Sequence, residues 1–138
     1  MANRNLKRPS YSFEQDTVSI YGKFTVGATG AVTAGTVKGG GLSGVVRNGA
    51  GDYTITLSDK YNRFLNFEAW FASASGNSGI ARVEPYNSTP ANFQSGFAGG
   101  AFSVKCLDYA GAAADPASGA IFHFRVVVRN SSIAPYGF

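Results

Sequence analysis

"VVRNGAGDYTITLSDKY", residues 45–61, is the stretch on which the fold is decided. Tyr53, Ile55 and Leu57 alternate with Asp52, Thr54, Thr56 and Ser58, and "NGAG" (48–51) separates this run from the alternating "LSGVVR" (42–47). Strict period two around a Gly-rich turn is the signature of a hairpin with one apolar and one polar face. The same alternation recurs along the chain. It places Val18, Ile20, Phe24 and Val26 against Ser19, Tyr21, Lys23 and Thr25. It gives Leu65, Phe67, Ala69 and Phe71 as an inner set, and Phe102, Val104 and Cys106 against Ser103, Lys105 and Leu107. The last run sets Phe122, Phe124, Val126 and Val128 against His123, Arg125, Val127 and Arg129, and "IARVEPY" (80–86) is a weaker candidate. About seven strands result, and no segment carries a 3.6-residue apolar period. A short helical turn is expected only around "SDKYNRFL", capped by Ser58 or Asp59. Half-polar alternation implies antiparallel pairing. The predicted fold is all-β, a single-domain antiparallel β-sandwich of jelly-roll-like form, with a closed barrel as the alternative.

Composition bounds the rest. A chain of 138 residues is one domain, and its 44% apolar content supports a core without staples. Charged residues are only 14%, against about 25% in an average soluble domain, which suits a surface packed against partners. The net charge is +4, and Arg4, Lys7 and Arg8 supply three of those charges in a segment with no acid. The remaining nine basic and eight acidic residues leave the body near neutral, so no nucleic-acid contact is expected from it. The organisation read from this is a basic N-terminal arm over 1–12 and a sandwich over 13–138. The arm is expected to be ordered by binding, with docking on its own domain as the alternative. "GATGAVTAGTVKGGG" (27–41) is read either as a flexible connection or as an extended loop lying along a neighbouring subunit.

Chemistry-bearing motifs are sparse. The one histidine, His123, lies on a polar strand face, and neither a GxSxG elbow nor a Walker loop is present. One Cys and one His exclude the usual zinc sets, and Cys106 reads as a buried small hydrophobe. Asp52, Asp59, Asp108 and Asp115 adjoin turns, where aspartate usually serves the backbone. Glu68 and Glu84 both sit in strands and could face each other across a sheet, but with eight acids in the chain some pair always could, so they are a weak basis for a small hydrolase. The reading is therefore no enzyme, no metal and no cofactor. No apolar run approaches a membrane span and no signal peptide is visible, so a chain made in a reducing cytoplasm, with no membrane partner, is expected. The outward faces say more. Trp70 alternates away from Phe67 and Phe71, and Leu107 and Val127 also fall on polar faces. The candidate partner-binding residues are Arg4, Lys7, Arg8, Trp70, Arg125 and Arg129, the last two on one edge of the final strand.

The segments "SFEQDTVSIYGKFTV", "KGGGLSGVVRNGAGDYTITLSDKYNRFL" and "KCLDYAGAAADPASGAIFHFRVVVRNSSI" resemble small structural proteins of tailed bacteriophages. The likeness runs from about residue 13 to 133 and leaves 81–100 unmatched. It rests on a "Q-D-V-S-L-Y-G" type strand, a Gly-rich segment, a "G-x-Y-T-I-T-L-x-D-x-Y" strand and an "H-F-x-x-V-x-R-N-S-S" strand. The resemblance implies a head decoration or cement protein, a homotrimeric jelly-roll-like domain on the outer capsid surface of a virion. Its partners would be the major capsid protein and itself, and no catalytic residue carries over. The alternative is a carbohydrate- or receptor-binding module of a tail fibre or spike, with Trp70, Tyr86 and Tyr61 stacking on sugars.

Overall fold

The computed structural model describes residues 17–61, 63–86 and 100–129. The expected basic arm, the boundary at 12/13 and the C-terminal "SSIAPYGF" lie outside the described residues, as does most of 81–100. Seven strands are formed among the described residues: β1 (Thr17–Thr25), β2 (Leu42–Gly49), β3 (Asp52–Leu57), β4 (Arg63–Ala72), β5 (Arg82–Tyr86), β6 (Ala101–Leu107) and β7 (Ile121–Arg129). They pair antiparallel in two sheets, β1-β7-β4 and β2-β3-β6-β5. The predicted all-β sandwich is what forms, in a three-plus-four arrangement.

Alternation decides which side chains enter the space between the sheets. Ile20, Phe24, Phe122, Phe124, Val126 and Val128 come from the first sheet, and Tyr53, Ile55, Leu57, Phe102, Val104 and Cys106 from the second. Phe24 stacks on Phe122 with ring centroids 4.9 Å apart, and Phe102 meets Phe64 and Phe67 edge-on at 5.3 and 5.6 Å. Each fully buried Phe contributes about 2–3 kcal/mol of apolar burial. The Cys106 thiol is fully buried, and that burial pushes its pKa up to about 12, so it is packing rather than a nucleophile. Gly22 takes an inward place in β1 because Phe124 occupies the space where its side chain would go: a Cβ there would lie 2.3 Å from the ring.

One partly buried junction ties three loops together. Arg47 on β2 donates from Nε and Nη2 to the two oxygens of Asp115, at 3.1 and 2.7 Å. The Gly51 N–H in the β2–β3 turn donates to the same carboxylate at 2.8 Å. The Arg47 hydrogen bonds, backed by Gly51 and opposed by burial, hold the Asp115 carboxyl below the usual range. The buried Tyr53 hydroxyl, its pKa raised by desolvation, donates to the Gly30 carbonyl at 2.7 Å. Gly30 sits at φ +76°, and a Cβ would lie 2.1 Å from Asp115 Oδ1, so only glycine closes this knot.

Four expectations need correction. The segment 27–41 is not a loose connection. It is a strap folded back on its own sheet, with a short 3₁₀ turn at Ala28–Gly30. Lys38 and Lys23 exchange backbone hydrogen bonds at 2.9 Å, and Val32 and Val37 pack on the core. The "SDKYNRFL" stretch forms no helix: Ser58–Tyr61 bends and β4 begins at Arg63. The inner set of β4 starts at Phe64 rather than Leu65, because a bulge between Phe64 and Asn66 shifts the alternation by one. Glu68 and Glu84 lie in different sheets, both exposed, each against an arginine of its own sheet, so they cannot act as a pair.

Candidate binding face

The register of the three-stranded sheet builds a surface from cross-strand rows. Tyr21, Arg125 and Glu68 form one row, and Lys23, His123 and Trp70 the next. All six fall on the side away from the core because their alternation partners, Ile20, Phe24, Phe122, Phe124, Phe67 and Phe71, face inward. Tyr21 is 63% exposed and Trp70 58%, at the two flanks, so this face carries large aromatic surface in the open.

Neighbouring side chains fix the geometry. The Trp70 and His123 rings stack with centroids 4.0 Å apart and planes 2° from parallel, holding the indole upright. Burial and, next, the Lys23 charge lower the His123 pKa, so the imidazole is neutral near pH 7. Arg125 lies beside the Tyr21 ring, 5.8 Å from its centroid. Its charge is met loosely: Nη1 is 3.8 Å from Glu68, Nη2 donates to Ser19 at 3.4 Å, and Nε is shielded without an acceptor. A depression of about 380 Å³ opens here, walled by Tyr21, Glu68, Trp70, His123 and Arg125. A second, of about 230 Å³, adjoins it between Lys23, Lys38 and Tyr21, so the strap supplies part of the rim.

Such a face can bind but is poorly arranged for acid–base chemistry. His123 is flanked by an indole and an ammonium, not by a carboxylate that would orient it as a base. Among the described residues no three metal-ligating side chains cluster. No helix among them is long and apolar enough to cross a membrane.

Of the residues expected from sequence, the fold brings Trp70 and Arg125 together. Arg129 is only 3% exposed, and this burial removes it as a surface anchor. Tyr61 is 8% exposed and belongs to the core, so it presents no ring to a sugar. Tyr86 lies on the other sheet, where its hydroxyl donates to Asp52 at 2.6 Å and its ring sits under Lys105. The three sugar-stacking candidates therefore form no common platform. Arg4, Lys7 and Arg8 are outside the described residues. Leu107, expected outward, is covered by the loop that bridges it to Ala113. Tyr21 and Glu68 complete the site; Tyr21 was not singled out from sequence, and Glu68 only as half of a carboxylate pair with Glu84. The available signal was a large aromatic on the polar side of β1, beside Lys23.

The chain matches no family model, no curated protein and no solved structure.

Proposed function

We propose that this protein is a non-enzymatic structural protein of a virion, a capsid decoration (cement) protein that grips the outside of the major capsid shell and associates with copies of itself as a homotrimer. The observation that supports it is the outer face of β1-β7-β4: two half-exposed aromatics flank an arginine with loosely met hydrogen-bonding capacity. Aromatics and arginine are the residues that carry binding energy where polypeptides meet. The low charge content and the resemblance of the strand motifs to small tailed-phage proteins point the same way. Trimeric binding would multiply modest contacts through multivalency, provided each copy covers about 1,200 Å² or more.

The test is co-sedimentation of the purified protein with undecorated shells of its phage, alongside its mass in solution. The proposal expects a particle three times the 14.4 kDa chain, and shell binding that Trp70→Ala and Arg125→Ala each weaken by about tenfold or more. Failure of the wild-type chain to bind any shell would remove it.

A second reading, a sugar-binding module of a fibre or spike, is favoured by one feature. The upright Trp70 ring stands beside polar Glu68 and Arg125, the pairing of apolar face and hydrogen-bonding edge that sugars require. A glycan array in which binding is lost with Trp70→Ala would support it over the first.

A further inference from the structure

The strap adds a residue to the aromatic face. Lys38 and Lys23 exchange backbone hydrogen bonds at 2.9 Å in both directions, the mark of a directly opposed antiparallel pair. The Lys23–His123 and His123–Trp70 register continues the line. Lys38, Lys23, His123 and Trp70 therefore stand in one row across the strap and three strands.

That row is unfavourable by itself. Directly opposed side chains share a face with Cβ atoms about 5 Å apart, and like charges placed so repel. Gly39 permits the close approach: a Cβ on it would lie 2.3 Å from the Tyr21 carbonyl oxygen, so the strap is drawn tightly onto β1 beside Lys38. Among the described residues neither lysine has a salt bridge to a carboxylate. Both are exposed, and the depression of about 230 Å³ that they share with Tyr21 and His123 has no acidic residue in its wall. In the next row Arg125 is loosely met, and its acidic neighbour Glu68 lies on β4, the side away from the strap. The two rows thus hold three permanent cations against one carboxylate, with the excess toward the strap. Arg63 and Arg129, at the far end, have contacts of their own.

We propose that the occupant of this face is an extended acidic segment of a partner polypeptide, running along the strands with one carboxylate between Lys23 and Lys38 and another, two residues away, on Arg125. This rests on the binding-face reading above and adds the chemistry of the partner. The two rows are two residues apart on each strand, about 7 Å, which is also the spacing of same-side residues in an extended chain. A carboxylate between the lysines removes their repulsion, and charge complementarity fixes the register of the docked segment. Nucleic acid suits the face less, because its phosphates call for a longer cationic track and Glu68 would repel them.

The probe is a soluble peptide of alternating glutamate and threonine, set beside copies with glutamine or lysine in place of glutamate, duplex DNA and a uronic acid oligomer. The readout is the fluorescence of Trp70, the one tryptophan, in the full chain. Expected is a saturable change with the glutamate peptide, weakened about tenfold or more in the glutamine copy and by salt at about 0.5 M. Lys23→Gln combined with Lys38→Gln should weaken it as much. Lys23→Glu combined with Lys38→Glu should turn the preference to the lysine peptide, which damage to the fold would not do. Lys38→Gln alone should leave the urea midpoint unchanged or raise it, because a like-charge contact is removed. No response to the glutamate peptide up to about 1 mM, equal binding of the glutamate and glutamine copies, tighter binding of DNA or the uronic acid oligomer, or a lowered midpoint in Lys38→Gln would each overturn the proposal. Its failure is separable from that of the virion reading. Shells that bind the doubly Gln-substituted chain as well as the wild type would overturn the acidic segment alone. A glutamate-peptide response in a chain that no shell binds would support the segment and overturn the virion reading alone.

Discussion

Arg47 and Arg125 both face carboxylates, and they are used in opposite ways. Arg47 meets Asp115 with two hydrogen bonds, at 3.1 and 2.7 Å, and the carboxylate takes a third from Gly51. Arg125 meets Glu68 at 3.8 Å, reaches Ser19 at 3.4 Å and leaves Nε without an acceptor. The first arrangement, a bidentate charged pair in a partly buried site, fixes loops. The second holds a cation beside the exposed Tyr21 ring with its bonding incomplete, the feature on which the proposed binding face rests. The contrast separates what holds the domain together from what it offers outward.

The comparison can be broken at either end. Gly30→Ala should have the largest effect on stability, about 3 kcal/mol, because the new Cβ collides with Asp115 and the backbone is left-handed there. Urea denaturation measures it, and a loss under 1 kcal/mol would mean that the knot is not rigid. Asp115→Asn should cost less and change the response to acid. The folded pKa of Asp115 lies below its unfolded value, so its contribution is full above the ordinary carboxylate range and drains away as pH falls through the lowered folded value. The wild-type urea midpoint should therefore drop below about pH 4, and the variant should start lower and drop less. Arg125→Ala should change stability by about 0.5 kcal/mol or less while weakening attachment to a partner, the reverse of the Arg47 site. The smallest signal is optical. Trp70 is the one tryptophan and stacks on His123, so its fluorescence should change as the imidazole charges, with a midpoint below that of free imidazole. His123→Gln should remove that titration.

The sandwich was legible because alternation is a local property: the inner sets of β1, β3 and β7 needed only period two and a side to bury. Features set by pairing were not legible. The bulge that exchanges Phe64 for Leu65 depends on how β4 meets β7. The burial of Arg129 was not legible either, because alternation puts it on the same face as the exposed Arg125. Glycine content made 27–41 look loose, yet Val32, Val37 and the Thr36 hydroxyl, which accepts from the Thr25 N–H at 3.0 Å, fasten it. Trp70 and Arg125 stood out individually on polar faces. Their union with Tyr21 and Glu68 followed from a register that no single segment encodes.

The face of β1-β7-β4 is held to be a surface that another polypeptide covers, and its lone tryptophan reports on this directly. Iodide quenching of Trp70 should be strong in the isolated chain, where the indole is 58% exposed, and largely lost on purified particles carrying the protein. Equal quenching in both states would mean that the face stays open to solvent, and would contradict the account.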